Sequence, residues 1–532
     1  MLKYNLSKRM KKKVLFGFFS LLMLLGLSAQ DEDIWDRSVE KFSTILSLIE
    51  QNYYRDVDAE KLVYSSIRGM LETLDPHSYF LDPDNLSRMR EEYTGKYYGL
   101  GIQIQKHEDS LVVIAPIEGT PASRLGIQPG DIISTIDGES TKPMSSFDAM
   151  QKLRGPKGTK VTITLVREGV DEPIELTIER EEIPLHSVAY SFMITPTTGY
   201  IFIRNFAETT TEEFEQKMTQ LAGQGMKELI LDLRGNTGGP FFQSIALSDE
   251  FLPKGDVIVS IKGRNRVYNR EFRAQRDGQY EAIPLVILIN RGSASASEIV
   301  GGAVMDNDRG FLVGEDSWGK GLVQTVFPLG ENLAVALTTA KYFTPSGRSI
   351  QRDYEHIEDY ILYKQAPEDK REVRYTAKGR KVLGQGGIAP DFEVPSGLKM
   401  LTLELMNRGA IFGYARKFTA RETVLSKEFA FPGDAANTGA SGKIPVSRDF
   451  AVGAPILEDF KAYLRSARIA FDEPKFKEAE TEIKRELERE IVSSLWGIDE
   501  GVRAYRKTDA VVLKALEIMP EASKFVADNS PR

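Results

Sequence analysis

The chain has 532 residues, 41% of them hydrophobic, a formal net charge of −8 and no cysteine. That length and apolar content suffice for about three or four domains. The acidic balance argues against nucleic acid as the main partner, because phosphate binding needs a clustered basic surface, and the lack of cysteine excludes disulfides and a cysteine-linked lipid anchor.

The chain opens with a basic stretch, Lys8 to Lys13, then an apolar or small run, Val14 to Leu27, then Ser28-Ala29-Gln30. This predicts a signal peptide over 1–29, cut after Ala29, and an exported protein that is periplasmic, with a secreted or signal-anchored form as the alternative. The run falls short of the ~20 residues of a spanning helix. Membrane contact is therefore expected only through an uncleaved signal segment. Residues 30–92 carry apolar side chains at three- and four-residue spacings in KFSTILSLIEQNYY and EKLVYSSIRGMLETL, predicting an N-terminal helical segment.

Residues 93–182 change to short β-branched runs, GIQIQ, LVVIAPI, DIISTIDG, KVTITLV and IELTIE, punctuated by Gly, Pro and Asp, with one helix at Phe147 to Leu153. A small, mostly β domain is expected. Over 183–395 strands and helices alternate: GYIFIRNF, ELILDLR and PLVILIN read as strands, and the latter two end in Gly or Ser loops. This predicts an α/β unit with its site at strand C-termini. Residues 353–382 read as an insertion, and 396–532 as a helical extension with a loop at PGDAANTGASGK. The run EPKFKEAETEIKRELEREIVSSLW reads as a helix with a solvated face.

The stretch NRGSASASE follows the buried strand and offers a nucleophile. Acyl transfer by serine needs a hydroxyl at a fixed point, a base, and amide donors for the oxyanion. Gly292 permits a sharp turn, and a helix beginning near Ser295 would point its first amides there, although a capping serine would look the same. The histidines are His77, His107, His186 and His356, and none falls between 187 and 355, which argues against a Ser-His-Asp triad. Lysine is the other available base. Lys320, between glycines in DSWGKGLVQT and beside Trp318 and Leu322, would need its pKa lowered from ~10.4 by desolvation. GEDSWGKG also matches a phosphate-binding loop as far as the lysine, but Gly321 stands where Ser or Thr is required. Backbone donors are available in LDLRGNTGG, where Gly238 and Gly239 follow a strand.

Together LDLRGNTGG, GSASASE, WGKGLVQT and TPSGRSIQ with GGIAPD resemble, in order, the carboxyl-terminal processing peptidases, or tail-specific proteases, over roughly residues 40–395. The resemblance implies a crotonase-like α/β protease core and a serine endopeptidase that needs no cofactor or metal. It implies Ser295 as nucleophile, Lys320 as general base, Gln324 as its orienting partner, and the amides of Gly238 and Ala296 as oxyanion donors, with Ser293 and Ser297 supporting the turn.

Within 93–182, YYGLGIQI and TPASRLGIQPGDIISTIDG resemble a PDZ domain. Gly99, Leu100, Gly101 and Ile102 would then hold a C-terminal carboxylate, the strand after them would pair with a peptide, and Phe147, Met150 and Leu153 would either line an apolar pocket or pack in the core. Arg154 would couple the PDZ domain to the lysine. The expected partners are protein or peptide substrates with accessible C-termini and an activating or adaptor protein. The alternative function is a PDZ peptide-binding scaffold on an idle protease fold.

Overall fold

A computed structural model describes residues 34–107, 109–167, 169–363, 370–395, 397–432 and 444–527. The expected signal peptide and nearly all of the Gly/Ala/Ser stretch lie outside the described residues. The chain divides into two units, Met1–Asp82 and Pro83–Arg532. The first holds helices α1 (34–52) and α2 (Ala59–Glu72), and Asp58 caps α2 by accepting the Lys61 N–H at 3.0 Å. Trp35, Phe42 and Ile45 on α1 are exposed. Among the described residues no helix is long and apolar enough to cross a membrane.

The second unit opens with α3 (Pro83–Thr94) and β1 (Lys96–Gly99). A mostly β domain follows: β2 (Ile102–His107), β3 (Ser110–Pro116), β4 (Ile132–Ile136), α4 (Ser146–Leu153), β5 (Lys160–Val166) and β6 (Ile174–Glu179). These strands pair antiparallel in the order β2-β3-β4-β5-β6, which leaves β2 at an edge. Alternation puts Val113, Ile133, Val161, Ile163 and Leu165 in one core with Leu153 of α4. Of the three pocket candidates on α4, Leu153 is therefore core, whereas Phe147 is exposed beneath the Arg88 guanidinium. The chain leaves through β7 (Glu181–Pro184), which pairs antiparallel with β1, so the two crossings of this inserted domain are zipped together.

The α/β region then runs through β8 (Val188–Met193), β9 (Thr198–Ile203), α5 (Thr210–Gly223), β10 (Glu228–Asp232), α6 (Phe241–Asp249), β11 (Val257–Gly263) and β12 (Arg270–Arg273). It continues with β13 (Leu285–Ile289), α7 (Ala296–Asp306), β14 (Phe311–Gly314), β15 (Leu322–Gly330), β16 (Leu333–Phe343) and β17 (Phe392–Glu393). One sheet has the order β8-β9-β10-β13-β14-β17 and is parallel apart from its first pair. A second, antiparallel sheet joins β15, β16, β11 and β12.

All five residues of β13 are buried, as a strand covered on both faces requires. Leu285, Ile287 and Ile289 pack among α5, α6 and α7, while Val286 and Leu288 face the other way. That rear face is closed from the far end of the chain. After α8 (Met400–Asn407), α9 (Ala410–Thr419), α10 (Ala454–Ser466), α11 (Glu473–Trp496) and α12 (Ile498–Lys507), which share an aromatic-rich core of their own, helix α13 (Ala510–Ala527) lays Val511, Val512, Ala515, Ile518 and Met519 onto Tyr200, Ile230, Val286, Leu288 and Val313. The extension thus covers one of the two faces of the mainly parallel sheet.

Candidate active site

Strand β13 delivers the chain to Asn290, whose side-chain oxygen accepts the amides of Gly235 and Gly292, both at 2.9 Å. The loop after β10 and the serine turn after β13 are thereby joined. Ser293 Oγ donates to the Leu233 carbonyl at 2.8 Å, and the Asn236 carbonyl accepts Ser297 Oγ and the Ala294 amide, each at 2.9 Å. Ser293 and Ser297 are fully buried and face the neighbouring loop, whereas Ser295 is half-buried. Ser295 has φ 55° and ψ −110°, a region costly for a residue with a side chain and held only where surroundings impose it.

It precedes α7, whose first amide, that of Ala296, lacks an intrahelical partner. Gly238, at φ +102°, lies so close that a Cβ there would stand 2.8 Å from Ser295 Cβ and 3.0 Å from the Ala296 nitrogen. Its amide differs from the expected open donor: it donates to Asn236 Oδ1 at 2.9 Å, because the asparagine side chain turns back on its own loop.

Lys320 is half-buried, and its backbone is tied to that of Ser295 by two side chains. Glu298, 1% exposed, accepts the Ser295 amide at 2.8 Å and the Lys320 amide at 2.9 Å on Oε2, and the Gly319 amide at 2.7 Å and Ser317 Oγ at 2.5 Å on Oε1. Four donors occupy its two oxygens, the demand of a carboxylate. Burial pushes its pKa up, against the opposing effect of those hydrogen bonds. On the other side, the buried Tyr342 hydroxyl contacts the Lys320 carbonyl and lies 3.3 Å from that of Ser295. Burial, then the charge of Glu298, raises the Tyr342 pKa well above its usual value, so it stays a donor.

Ser295, Lys320, Gln324, Gly238 and Tyr342 line one cavity of about 600 Å³. Gln324 donates to Thr338 Oγ1 at 3.3 Å rather than to the lysine. Trp318, beside Lys320 in the chain, stacks on Arg352 at 4.5 Å, which Tyr360 and Tyr363 enclose at 4.5 and 4.3 Å. Tyr360 and Tyr363 thus pack on the loop bearing the lysine. His186 also lines the cavity, with Nδ1 3.8 Å from Glu213.

Arg154 does not line that cavity: its guanidinium meets Glu91 at 2.6 Å and covers the Tyr97 ring at 4.2 Å. In the PDZ-like domain, Leu100 is buried and Gly101 has φ +77°, with Thr120 filling the space a Cβ would need. The Leu100 and Gly101 carbonyls accept the amides of Ala122 and Ile117 at 3.0 and 2.8 Å.

Peptidase family S41 matches residues 197–360, a PDZ domain matches 112–167, and the N-terminal domain of the activating protease CtpB matches 25–85. The carboxy-terminal-processing protease of Bartonella bacilliformis is 38% identical over 335 residues, 62% of this chain and 76% of that one. The chain belongs to peptidase family S41. Two further relatives are from Bacillus subtilis. Carboxy-terminal processing protease CtpA is 36% identical over 60% of this chain and 67% of its own, and CtpB is 33% identical over 64% and 70%.

This S41 protein is a serine protease of the C-terminal processing type with a PDZ domain, joined to helical N- and C-terminal regions in a mixed α/β fold. Its sequence points to the serine turn, the lysine loop and the glycine loop. It does not single out Glu298, Tyr342 or Asn236, although Glu298 closes the GSASASE motif and Asn236 lies within LDLRGNTGG.

Proposed function

We propose that this protease cleaves peptide bonds with a Ser295–Lys320 dyad, fed by protein C-termini held on its PDZ domain, after export beyond the cytoplasm. The observation that carries the dyad is Glu298, which binds the amides of both residues on one oxygen while both side chains line the same cavity. In the reaction, Ser295 Oγ attacks the scissile carbonyl and its proton passes to neutral Lys320. The oxyanion faces the Ala296 amide and, once Asn236 yields it, that of Gly238. Lys320 then protonates the leaving amine, and water attacks the acyl-enzyme with Lys320 again as base.

Edge strand β2 and the loop Gly99–Ile102, with two carbonyls turned to internal partners, support peptide addition with the terminal carboxylate at that loop. The occupied Gly238 amide and the Thr338-bound Gln324 support a resting arrangement that substrate or an activator converts, Gln324 then turning to Lys320. The basic and apolar N-terminal sequence supports export.

His186, paired with Glu213 and lining the same cavity, gives a second reading with histidine as base. Cleavage of a flexible-tailed protein at pH 7–9 by the intact enzyme, S295A, K320A and H186A separates them. The dyad requires that S295A and K320A lose at least about a thousandfold while H186A cuts normally. The reverse order for the two bases overturns it, and tail binding without cleavage by the intact protein, with or without added candidate activators, favours the scaffold.

A further inference from the structure

The loop that brings Gly238 to Ser295 begins with a buried ion network reaching the far end of the chain. Arg234 follows β10 and directs Nη2 to Asp232 at 2.6 Å and to Asp509 at 2.8 Å, with Nη1 on the other Asp509 oxygen at 3.2 Å. Arg506 adds a contact to Asp509 at 2.9 Å, and Tyr200 donates to Asp232 at 2.6 Å. Asp232, Arg234 and Asp509 are 0%, 9% and 5% exposed. Asp509 also starts α13, with Oδ1 accepting the Val511 amide at 3.0 Å.

A guanidinium gripped by two carboxylates has its plane fixed. The residues next to Arg234 are those that meet the nucleophile turn: the Gly235 amide on Asn290, and the Asn236 carbonyl on Ala294 and Ser297. A continuous path of direct contacts therefore runs from Asp509 through Arg234 to the loop bearing Gly238.

We propose that Asp509, supplied by the C-terminal extension, is a positioning residue for the oxyanion loop. It acts through Arg234 and never touches substrate, and it makes α12 and α13 part of the catalytic apparatus. This rests on the Ser295 reading above. Removing one carboxylate leaves a buried cation partly unpaired, a fault that the surrounding backbone must absorb.

The test compares full-length D509N with V512A, which removes buried packing from the same helix (Val512 is 0% exposed) without touching the network. Below both melting transitions, D509N is expected to lose at least about tenfold in kcat, a fraction of what a lost oxyanion donor costs, with KM within about threefold. Hydrogen exchange should quicken at residues 233–239. V512A is expected to keep kcat within about twofold and unchanged exchange there.

Full kcat in folded D509N, or equal losses in both variants, overturns the proposal. If D509N shows no melting transition, D509E, which keeps the charge but displaces it by one methylene, is read by the same kcat, KM and exchange criteria. S295A runs alongside: an active S295A removes the serine reading itself, whereas a dead S295A beside a fully active D509N removes only the role of Asp509.

Discussion

The junction between the serine turn and the lysine loop and the junction between the PDZ domain and the protease region differ in where their side-chain bonds go and in how far water reaches them. At the first, Glu298, Ser293, Ser297 and Ser317 are at most 1% exposed, and their hydrogen bonds go mainly to backbone. At the second, beside the backbone pairing of β1 with β7, the side-chain pairs lie in water: Lys96–Glu182 at 3.1 Å with both members 43% exposed, and Arg124–Glu181 with both about half exposed. Arg154–Glu91 is the most sheltered of them, at 25% and 26% exposed. Buried bonds to backbone fix a geometry because a broken one leaves a polar group without water. Exposed pairs exchange with solvent at little cost. The side-chain bonds are thus sheltered at the turns that carry Ser295 and Lys320 and exposed beside the PDZ domain.

The sharpest way to break that contrast is Gly238→Ala, which puts a methyl 2.8 Å from Ser295 Cβ at φ +102°. Cleavage is expected to fall by about a hundredfold or more, with PDZ affinity for a tail peptide unchanged; both are read on the same preparation. Next, Glu298→Gln turns an amide NH2 toward backbone donors. We expect roughly a hundredfold loss in kcat and a lower melting temperature. A mutant that keeps full kcat would show that the dyad holds its register without the carboxylate.

The pH response sharpens the buried side further. Burial opposes ionisation of Asp509, but the charge and hydrogen bonds of Arg234, then Arg506, hold its pKa down to about 2, below the ~3.9 of an unfolded aspartate. A depressed folded pKa stabilises above the unfolded value and is lost as pH falls through the folded one. The advantage of the intact protein over D509N in urea unfolding should therefore be flat from pH 8 to 5 and shrink by about 2–3 kcal/mol toward pH 2.

The smallest effects belong to the PDZ junction. Arg154→Ala is expected to cost about 1 kcal/mol, from a part-buried ion pair and a contact with Tyr97, and to leave kcat within about threefold. Lys96→Ala should leave the melting temperature unchanged. Abolished cleavage in R154A would assign Arg154 a role beyond this latch.

Much of the site was legible because its parts are local. The apolar run ending in Asn-Arg-Gly-Ser makes a buried strand and a turn from its own residues, and Gly238 and Gly319 sit where positive φ is needed. Orientation was less legible. The Gly238 amide satisfied by its own neighbour, Gln324 facing Thr338, Trp318 stacked on Arg352, and Arg154 held by Glu91 are choices among partners that a sequence offers without ranking.

By itself the sequence determined the elements: two-sided burial of β13 from an unbroken apolar run, a serine-rich turn at its end, a lysine in a glycine turn, and a small, mostly β domain. Those follow from short-range periodicity and backbone preference. Only the tertiary structure decided that Glu298 binds amides 3 and 22 residues from it, that Arg234 finds Asp509 275 residues away, and that the last helix closes the rear of the protease sheet. Such contacts form because a buried charge or an uncovered apolar face must find a partner when the chain closes, and local sequence does not say which partner the fold will bring.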